Sequence, residues 1–258
     1  MLFRSVNIIS AEQIVSNERG SNHRDQTITQ NGSSIDAGRD LTINAGRDLT
    51  AIASQIDAKR NIAIAATENL TLASAADEQH SYSKSKKVTS QQDHVSQVST
   101  VVTAGGDVAL SAGNDLGLIA SKVEAGNEAY LAAGNKLQLL AAQNSDYSLY
   151  DMKKSGSWGS KKTQRDEVTQ VTNVGSEITT GGNLTLVSGG DQRYQGAKLN
   201  SGKDLTLDSG GSITFEAVKD SHQESHDKSS NSWAWTRMQS KGQDRKSTRL
   251  NSSHQYYL

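Results

Sequence analysis

Residues 37–72, AGRDLTINAGRDLTAIASQIDAKRNIAIAATENLTL, contain one short pattern four times. In each copy an Asp or Asn precedes an aliphatic residue, here called the lead. The lead begins an aliphatic-small-aliphatic triplet, such as Leu41-Thr42-Ile43. The leads are Leu41, Leu49, Ile62 and Leu70, so the steps are 8, 13 and 8 residues and the unit repeats every 21 residues. A fixed period of this size is typical of solenoid proteins.

The same steps return in two later blocks. The leads there are Val108, Leu116, Ala129 and Leu137, then Leu184, Gln192, Leu205 and Ile213. Six residues before the first and third lead of every block stands one further aliphatic residue: Ile35, Ile56, Val102, Val123, Ile178 and Leu199. Because this last position did not define the repeat, it supports the period independently.

Each 21-residue unit is interpreted as three short strands joined by three corners. Lead and lead-plus-two lie on one face of a strand, as in Leu205-Thr206-Leu207, and the residue between them points away. A Gly three residues before most leads is expected to supply a positive φ at the corner. The Asp or Asn before most leads is expected to bond its local backbone. The predicted fold is therefore all-β, a parallel β-helix whose coils of about 21 residues stack about 4.8 Å apart.

Composition agrees with a solenoid. Only 34% of the residues are hydrophobic and 5% aromatic, which is little for a compact globule but sufficient for a one-dimensional core of small aliphatics. Proline is absent, as suits a backbone committed to strand ladders. Cysteine is absent too, so disulfide frameworks and Cys-based zinc sites are excluded. The formal net charge of −1 gives no general indication of a nucleic-acid partner.

The chain divides by where the repeat is present. We assign residues 33–242 to a β-solenoid of three double-coil blocks, 33–72, 101–139 and 177–215, with polar inserts at 73–100, 140–176 and 216–242. Residues 1–32 lack the repeat and are expected to hold the end of a preceding insert at the start of a fragment. Residues 243–258 break every pattern and are expected to be a non-native tail.

The inserts are Ser- and Lys-rich, and two interpretations are open: disordered loops, or β-hairpins projecting from the coils. Comparison with uninterrupted coils shows that 25 residues are added at the first insert and 34 at the second, at the same corner once every two coils. Two coils rise about 9.6 Å, and the two strands of a hairpin span about 9.6 Å as well. Successive hairpins are therefore expected to pair edge to edge as one projecting sheet.

The sequence offers little chemistry. One carboxylate per corner is too few for a calcium site, so corner capping is the preferred role of the Asp and Asn residues. The acids recur in step with the repeat, which indicates scaffolding rather than a catalytic pair, and we expect no enzyme, no catalytic residue, no cofactor and no metal site. His222 and His226 are four apart in a polar insert and are expected to be solvated.

Three tryptophans, Trp158, Trp233 and Trp235, all lie in inserts and are the candidate partner-binding residues. Tryptophan is enriched at recognition surfaces, yet these side chains can equally pack against their own hairpins. The second insert is locally basic, through Lys153, Lys154, Lys161, Lys162 and Arg165; a solvated surface is the default interpretation.

The segments GRDLTI, GGNLTL and GKDLTL, together with the Ser/Lys-rich inserts, resemble the haemagglutinin repeats of filamentous-haemagglutinin-like exoproteins. The similarity covers about residues 33–242 and is greatest to the later repeat region of contact-dependent growth-inhibition effectors. It implies two-partner secretion through an outer-membrane β-barrel transporter of a Gram-negative bacterium and a single-chain rod at the cell surface. No catalytic residue of the family is carried over.

This resemblance implies contact with a target-cell surface or outer membrane. Toxin delivery is the first functional hypothesis, an adhesin stalk for attachment to host cells or biofilm the second, and a carbohydrate-active β-helix a remote third. No nucleic-acid partner is expected.

Overall fold

The computed structural model describes residues 4–156, 160–231 and 239–244, and for residues 239–244 it describes the backbone alone. Within these residues the regular structure is β-strand, apart from one 3₁₀ turn at Gly20–Asn22. The strands form three parallel sheets and one antiparallel sheet. The predicted parallel β-helix with projecting hairpins is confirmed.

Strands are numbered in chain order. Before the first complete coil lie β1 (Ser5–Ile9) and hairpin 1, made of β2 (Ala11–Glu18) and β3 (His23–Asn31). Coils 1 and 2 contain β4 (Ser34–Ala37), β5 (Leu41–Ala45), β6 (Asp48–Ile52), β7 (Gln55–Ala58), β8 (Ile62–Ala66) and β9 (Leu70–Ala73). Hairpin 2 follows, with β10 (Ala75–Lys84) and β11 (Val88–Val98).

Coils 3 and 4 contain β12 (Val101–Ala104), β13 (Val108–Ala112), β14 (Leu116–Ile119), β15 (Lys122–Ala125), β16 (Ala129–Ala133) and β17 (Leu137–Leu140). Hairpin 3 consists of β18 (Ala142–Ser155) and β19 (Lys161–Val174). Coils 5 and 6 contain β20 (Glu177–Thr180), β21 (Leu184–Ser188), β22 (Gln192–Gln195), β23 (Lys198–Ser201), β24 (Leu205–Ser209) and β25 (Ile213–Glu216). Hairpin 4 is β26 (Ser221–Asn231) with β27 (Gln239–Asp244).

Every coil contributes one strand to each of three parallel sheets. Sheet 1 stacks β4, β7, β12, β15, β20 and β23; sheet 2 stacks β5, β8, β13, β16, β21 and β24. Sheet 3 stacks β1, β6, β9, β14, β17, β22 and β25. Equivalent residues pair directly, so that Ile62 lies beside Val108 and Val108 beside Ala129. The leads and the second inward residues of the middle coils are buried in one continuous aliphatic core.

Residues 1–32 contain more than the expected insert. Hairpin 1 fits that expectation, but β1 pairs in parallel with β6 and extends sheet 3 by one strand. Its triplet, Val6-Asn7-Ile8, lacks both the Gly and the Asp or Asn that mark most other leads, so the pattern does not reveal it. At the other boundary, Gln243 and Asp244 belong to β27, while residues 245–258 of the expected tail lie outside the described residues.

Two leads of coil 6 do not lie in a closed core. Leu205 pairs with Leu184 in register, yet Leu184 is 0% exposed and Leu205 46%. Ile213 and Phe215 are exposed in the same way. The reason is position, because β24 and β25 are the last strands of their sheets among the described residues. An inward-facing side chain is buried only when coils stack on both sides of it.

The polar lead Gln192 is fully buried without an unmet hydrogen bond. Its amide nitrogen donates to the carbonyl oxygens of Asp208 (2.6 Å) and Leu186 (3.3 Å), and its side-chain oxygen accepts from the Tyr194 hydroxyl at 2.8 Å. Burial raises the pKa of Tyr194, whose ring stacks on Phe215 with centroids 4.7 Å apart. Coil 5 therefore keeps a polar residue in the core because neighbouring carbonyls and a phenol satisfy it.

The corner Asp and Asn residues act between coils and not within one. The Asp115 carboxylate accepts hydrogen bonds from the Lys136 backbone N–H (3.1 Å) and the Asn135 side chain (2.9 Å), both one coil later. Asn61 likewise accepts from the Asp107 N–H at 2.9 Å. The expectation of local backbone capping is thus corrected: these side chains continue the ladder around the corner.

The expected role of the corner glycines is also wrong. Among described glycines, positive φ occurs at Gly20 and Gly196, neither of which stands three residues before a lead. At Gly126 and Gly134 an added Cβ would overlap the backbone carbonyl oxygen of Gly105 and Gly113, one coil earlier. Glycine is therefore selected there by close approach between stacked coils.

Candidate interaction surface of the hairpin sheet

The four hairpins leave the rod at one corner, between sheet 3 and sheet 1, and every second coil carries one. They pair edge to edge through β3 with β10, β11 with β18 and β19 with β26. The result is a single antiparallel sheet of eight strands, which we call the fin. The structure therefore confirms that the inserts are hairpins and that successive hairpins pair edge to edge.

A buried hydroxyl closes the corner at which the hairpins leave. At the uninterrupted corners, Ser54 donates to the Ile52 carbonyl (2.8 Å) and Ser121 to the Ile119 carbonyl (3.0 Å). Where a hairpin intervenes, Thr100 donates to the Ala73 carbonyl (2.6 Å) and Ser176 to the Leu140 carbonyl (3.0 Å). The same bond therefore holds the corner with or without a hairpin.

The sequence pattern did not lead us to predict these corner hydroxyls, although it contains a signal for them. A Ser or Thr stands two residues before the sheet 1 aliphatic in five of six coils: Ser33, Ser54, Thr100, Ser121 and Ser176, with Ala197 as the exception. Because Ser and Thr are common in the polar inserts, this recurring hydroxyl position is recognisable only when the coils are aligned by their leads.

All five described histidines lie on the fin, and each contacts a carboxylate. His94 on β11 pairs with Asp146 on β18, and His226 on β26 pairs with Asp166 on β19 at 2.8 Å. These two pairs each join neighbouring hairpins on one face of the fin. The hydrogen bond to Asp166 raises the pKa of His226, and that of Asp166 is lowered by its bonds to Gln164 and His226.

His80 is the most enclosed of these imidazoles by its neighbours. Its Nε2 contacts Glu78 at 3.0 Å on its own strand, and its Nδ1 contacts Asp93 at 2.9 Å on β11. Hydrogen bonds to Glu78 and then Asp93 raise the pKa of His80. The register partner on β3 is the neutral Gln26. Carboxylates on two strands thus favour the charged imidazolium.

Tyr147 and its neighbours form a further cross-strand contact. The Tyr147 hydroxyl donates to Glu167 at 3.1 Å, and Arg165 contacts the same carboxylate at 3.1 Å. Burial, followed by the bond to Glu167, raises the pKa of Tyr147. The fin is therefore held by a continuous set of polar and ionic contacts between strands.

The three sequence-based candidates are not placed by the structure. Trp158, Trp233 and Trp235 lie outside the described residues. His222 and His226 share one face of β26, but His222 contacts Glu224 at 2.7 Å and His226 reaches across to Asp166. Over the described part of the chain, no group of three or more His, Cys, Asp or Glu side chains has a metal-binding arrangement.

Most of the described carboxylates at the corners and on the fin take part in contacts between strands. At the corners, Asp115 accepts hydrogen bonds from stacked amides; on the fin, Asp77 accepts from a backbone amide, Asp93 contacts His80 and Glu167 contacts Arg165. Such groups are engaged in holding strands together. Within the described ranges, no helix has the length and hydrophobicity needed to span a bilayer.

Comparison with known proteins identifies the repeat. The hemagglutinin repeat family model matches residues 14–90, 80–160 and 155–256. The chain is 30% identical over 199 residues to the 16S rRNA endonuclease CdiA of Enterobacter cloacae subsp. cloacae, covering 67% of this chain and 6% of the relative. It is 31% identical over 167 residues to the deoxyribonuclease CdiA of Dickeya dadantii, covering 64% of this chain and 5% of the relative. No solved structure matches the chain.

Proposed function

Since the chain belongs to the hemagglutinin repeat family, we propose that it is a structural and interaction segment of a secreted exoprotein that supports toxin delivery in contact-dependent growth inhibition. The main support is three tandem family matches laid over a rod whose hairpins form one fin. The chain spans about one-twentieth of the length of the curated relatives it matches. The nuclease activities in their names are properties of those relatives.

The proposal places the protein on the surface of a Gram-negative cell after two-partner secretion through an outer-membrane transporter. The rod gives length and stiffness, because its core is a stack of paired aliphatic residues. The fin gives contact area, since its strands project from one corner and carry polar groups on both faces. Its partner in this role is the surface of the target cell.

The test removes hairpins 2 and 3, the middle four strands of the fin, and keeps the rod. Deleting residues 75–99 and 142–175 from the full-length exoprotein joins Ser74 to Thr100 and Ala141 to Ser176, which reproduces the uninterrupted corner at Ala53-Ser54. We expect normal surface display, measured by an accessible epitope, and loss of target-cell growth inhibition. Growth inhibition equal to that of the parent would overturn the delivery role.

A control variant separates the fin from rod length. Deleting residues 101–176 removes two coils and one hairpin and joins Thr100 to Glu177, as Ser176 joins it now. The shorter rod retains a fin, and we expect it to inhibit target cells. Attachment of producing cells to target cells is measured in parallel. If the variant without hairpins 2 and 3 loses attachment together with inhibition, the adhesin role accounts for the result instead.

A further inference from the structure

The outer ends of hairpins 2, 3 and 4 carry a concentration of lysine. We call this set the lysine rim; its members are Lys84, Lys86, Lys87, Lys153, Lys154, Lys161, Lys162 and Lys228. All eight side chains are exposed. They belong to separate hairpins in the sequence. The pairing of those hairpins aligns them along the outer margin of the fin, across the ends of its strands.

Backbone contacts fix the rim as one surface. The Lys153 N–H donates to the Lys87 carbonyl at 2.7 Å, so the end of hairpin 2 lies against hairpin 3. Lys154 is the register partner of Lys162, and Gln164 that of Lys228. Neighbouring strands are about 4.8 Å apart, so each hairpin advances the line of charge by about 9.6 Å.

The rim is electrostatically unbalanced. Residues 84–88, 152–156, 160–164 and 228–231 contain no Asp or Glu. Among the described residues, Lys153 contacts Asp151 at 3.5 Å, and no salt bridge forms at the other seven rim lysines. Because the whole chain has a formal net charge of −1, setting aside eight lysines leaves −9 for the remainder. A polar rod with one cationic edge results.

We propose that the lysine rim binds an acidic polysaccharide, a linear polymer with carboxylate groups along its chain. Lysine ammonium groups are point charges on flexible stems and adapt to anions at variable spacing. Their summed field raises the local concentration of a polyanion and steers its approach. The inference rests on the proposed surface role, because that role brings the fin to the glycans of another cell.

The shape of the rim favours a linear polymer over a bilayer. The rim is the edge of a single sheet, and the strands behind it carry carboxylates such as Asp93, Asp146 and Glu167. An anionic membrane repels those groups as the fin lies down, whereas a polymer follows the edge alone. Single-stranded nucleic acids bind through stacked aromatics at successive sites, and the described rim segments contain none.

The experiment measures binding of polygalacturonate of defined length to the purified 258-residue chain by fluorescence anisotropy. We expect binding at low ionic strength and at least about tenfold weaker binding when salt approaches physiological levels or above, because charge attraction is screened. Neutral dextran of equal length is the negative control. Polygalacturonate binding that is indifferent to salt would contradict a lysine-based site.

Matched variants locate the site. In the rim variant, Lys86, Lys87, Lys154 and Lys162 become Gln; in the coil variant, Lys122, Lys136, Lys198 and Lys203 become Gln. Both lose four positive charges from exposed positions. We expect at least about tenfold weaker binding for the rim variant and less than about twofold change for the coil variant. Equal losses in both would overturn the proposal.

A third variant keeps the charge, with Arg at the four rim positions, and is expected to bind as the parent does. Failure of this variant would trace the rim-variant loss to fold and not to charge, and would count against the site. Vesicles with phosphatidylglycerol and oligothymidine are tested beside polygalacturonate. Either of them binding in its place would assign the rim to another partner. The growth-inhibition assay on the exoprotein without hairpins 2 and 3 is independent of these outcomes.

Discussion

At the residue scale, the uninterrupted corner between sheets 3 and 1 turns on a left-handed residue. Ala53 and Ala120 both have φ of 45°, and Gly196 takes φ of 58° at the equivalent place between coils 5 and 6. An L-residue with a side chain is disfavoured in this region by about 1–2 kcal/mol. The two alanines are held there because the stacked coils fix the turn.

Ala120→Gly is accordingly expected to stabilise the protein by up to about 1 kcal/mol, since the strain removed exceeds the entropy that glycine adds to the unfolded chain. Ala125→Gly in β15 is the control; both alanines are buried, and Ala125 lacks a positive φ. It is expected to destabilise by about 0.5–1 kcal/mol. Thermal unfolding midpoints of the two variants are compared with that of the parent. A lower midpoint for Ala120→Gly than for the parent would contradict the prediction that Ala120 is strained.

The ladder of corner side chains makes a second prediction at this scale. Asp115→Ala removes the acceptor for the Lys136 N–H and the Asn135 amide, at an expected cost of about 1 kcal/mol in the free energy of unfolding. Asp115→Asn keeps an oxygen at that position and is expected to change stability by less than about 0.5 kcal/mol. Urea titrations compare the two. Equal damage from both would mean that the charge, and not the acceptor oxygen, matters.

At the element scale, the hairpins depend on imidazole–carboxylate contacts. The pKa of His80 is raised by Glu78 and Asp93, so the folded state holds a proton more tightly than the unfolded chain does. This stabilisation is fully present below the unfolded value of about 6.5 and is lost as pH rises through the higher folded value. Hairpin 2 is therefore expected to be more stable at mildly acidic pH than at alkaline pH.

The prediction is checked by NMR titration of the His80 ring in the whole chain. We expect a midpoint above about 6.5, which Asp93→Asn moves back toward that value. His80→Gln should lower the thermal midpoint more at about pH 5.5 than at about pH 8, because only the charged ring contributes the pH-dependent part. A His80 midpoint at or below the ordinary value would refute it.

The elements also show how far the sequence leads. The leads at steps of 8 and 13, with the aliphatic residue six positions before every other lead, were sufficient to predict three strands per coil. The buried face of each strand follows too, because a one-residue slip would turn Leu70 or Leu116 out to water. The strand β1 was missed because one triplet without neighbours has no period. Exposure of Leu205 depends on what stacks beside it, and burial of Gln192 depends on carbonyls from other strands. Neither is a local property of the chain.

The fin was predictable in part for the same reason. The placement of hairpins at one corner follows from counting residues between leads, and their pairing follows from the equal rise of two coils and two strands. The cross-strand partners do not follow, since His94 and Asp146 are 52 positions apart and meet only through a particular register. The lysine rim is hidden in the same way, as three short basic segments that pairing aligns.

At the scale of the whole molecule, the rod and the fin must keep step. Deleting Ala120–Leu140, one coil of 21 residues, joins Ile119 to Ala141 and leaves the sheets in register. Hairpins 2 and 3 would then be rooted about 4.8 Å apart, whereas each needs about 9.6 Å. We expect the coils to persist and the β11–β18 pairing to fail.

Deletion of residues 101–176 is the matched control, because it removes two coils with one hairpin and preserves the spacing. Limited proteolysis followed by mass spectrometry reports cleavage in the hairpins, and circular dichroism reports the sheets. We expect new cleavage sites in hairpins 2 and 3 of the one-coil deletion, and none in hairpins 2 and 4 of the control, where those two become neighbours. Equal protection of the neighbouring hairpins in both variants would show that rod and fin are not coupled.

The bond from Thr100 to Ala73, identical in kind to the bond from Ser54 to Ile52, also bears on how such proteins diverge. A hairpin enters and leaves through a joint that the rod would close anyway, so insertions and deletions beyond that joint cause no frameshift in the stacking. Hairpin 3 already outgrows hairpin 2 in this manner, with strands of 14 residues against 10 and 11. The outline of the fin can thus change through small insertions and deletions, whereas a change of length within a coil would shift the register of the stacked strands.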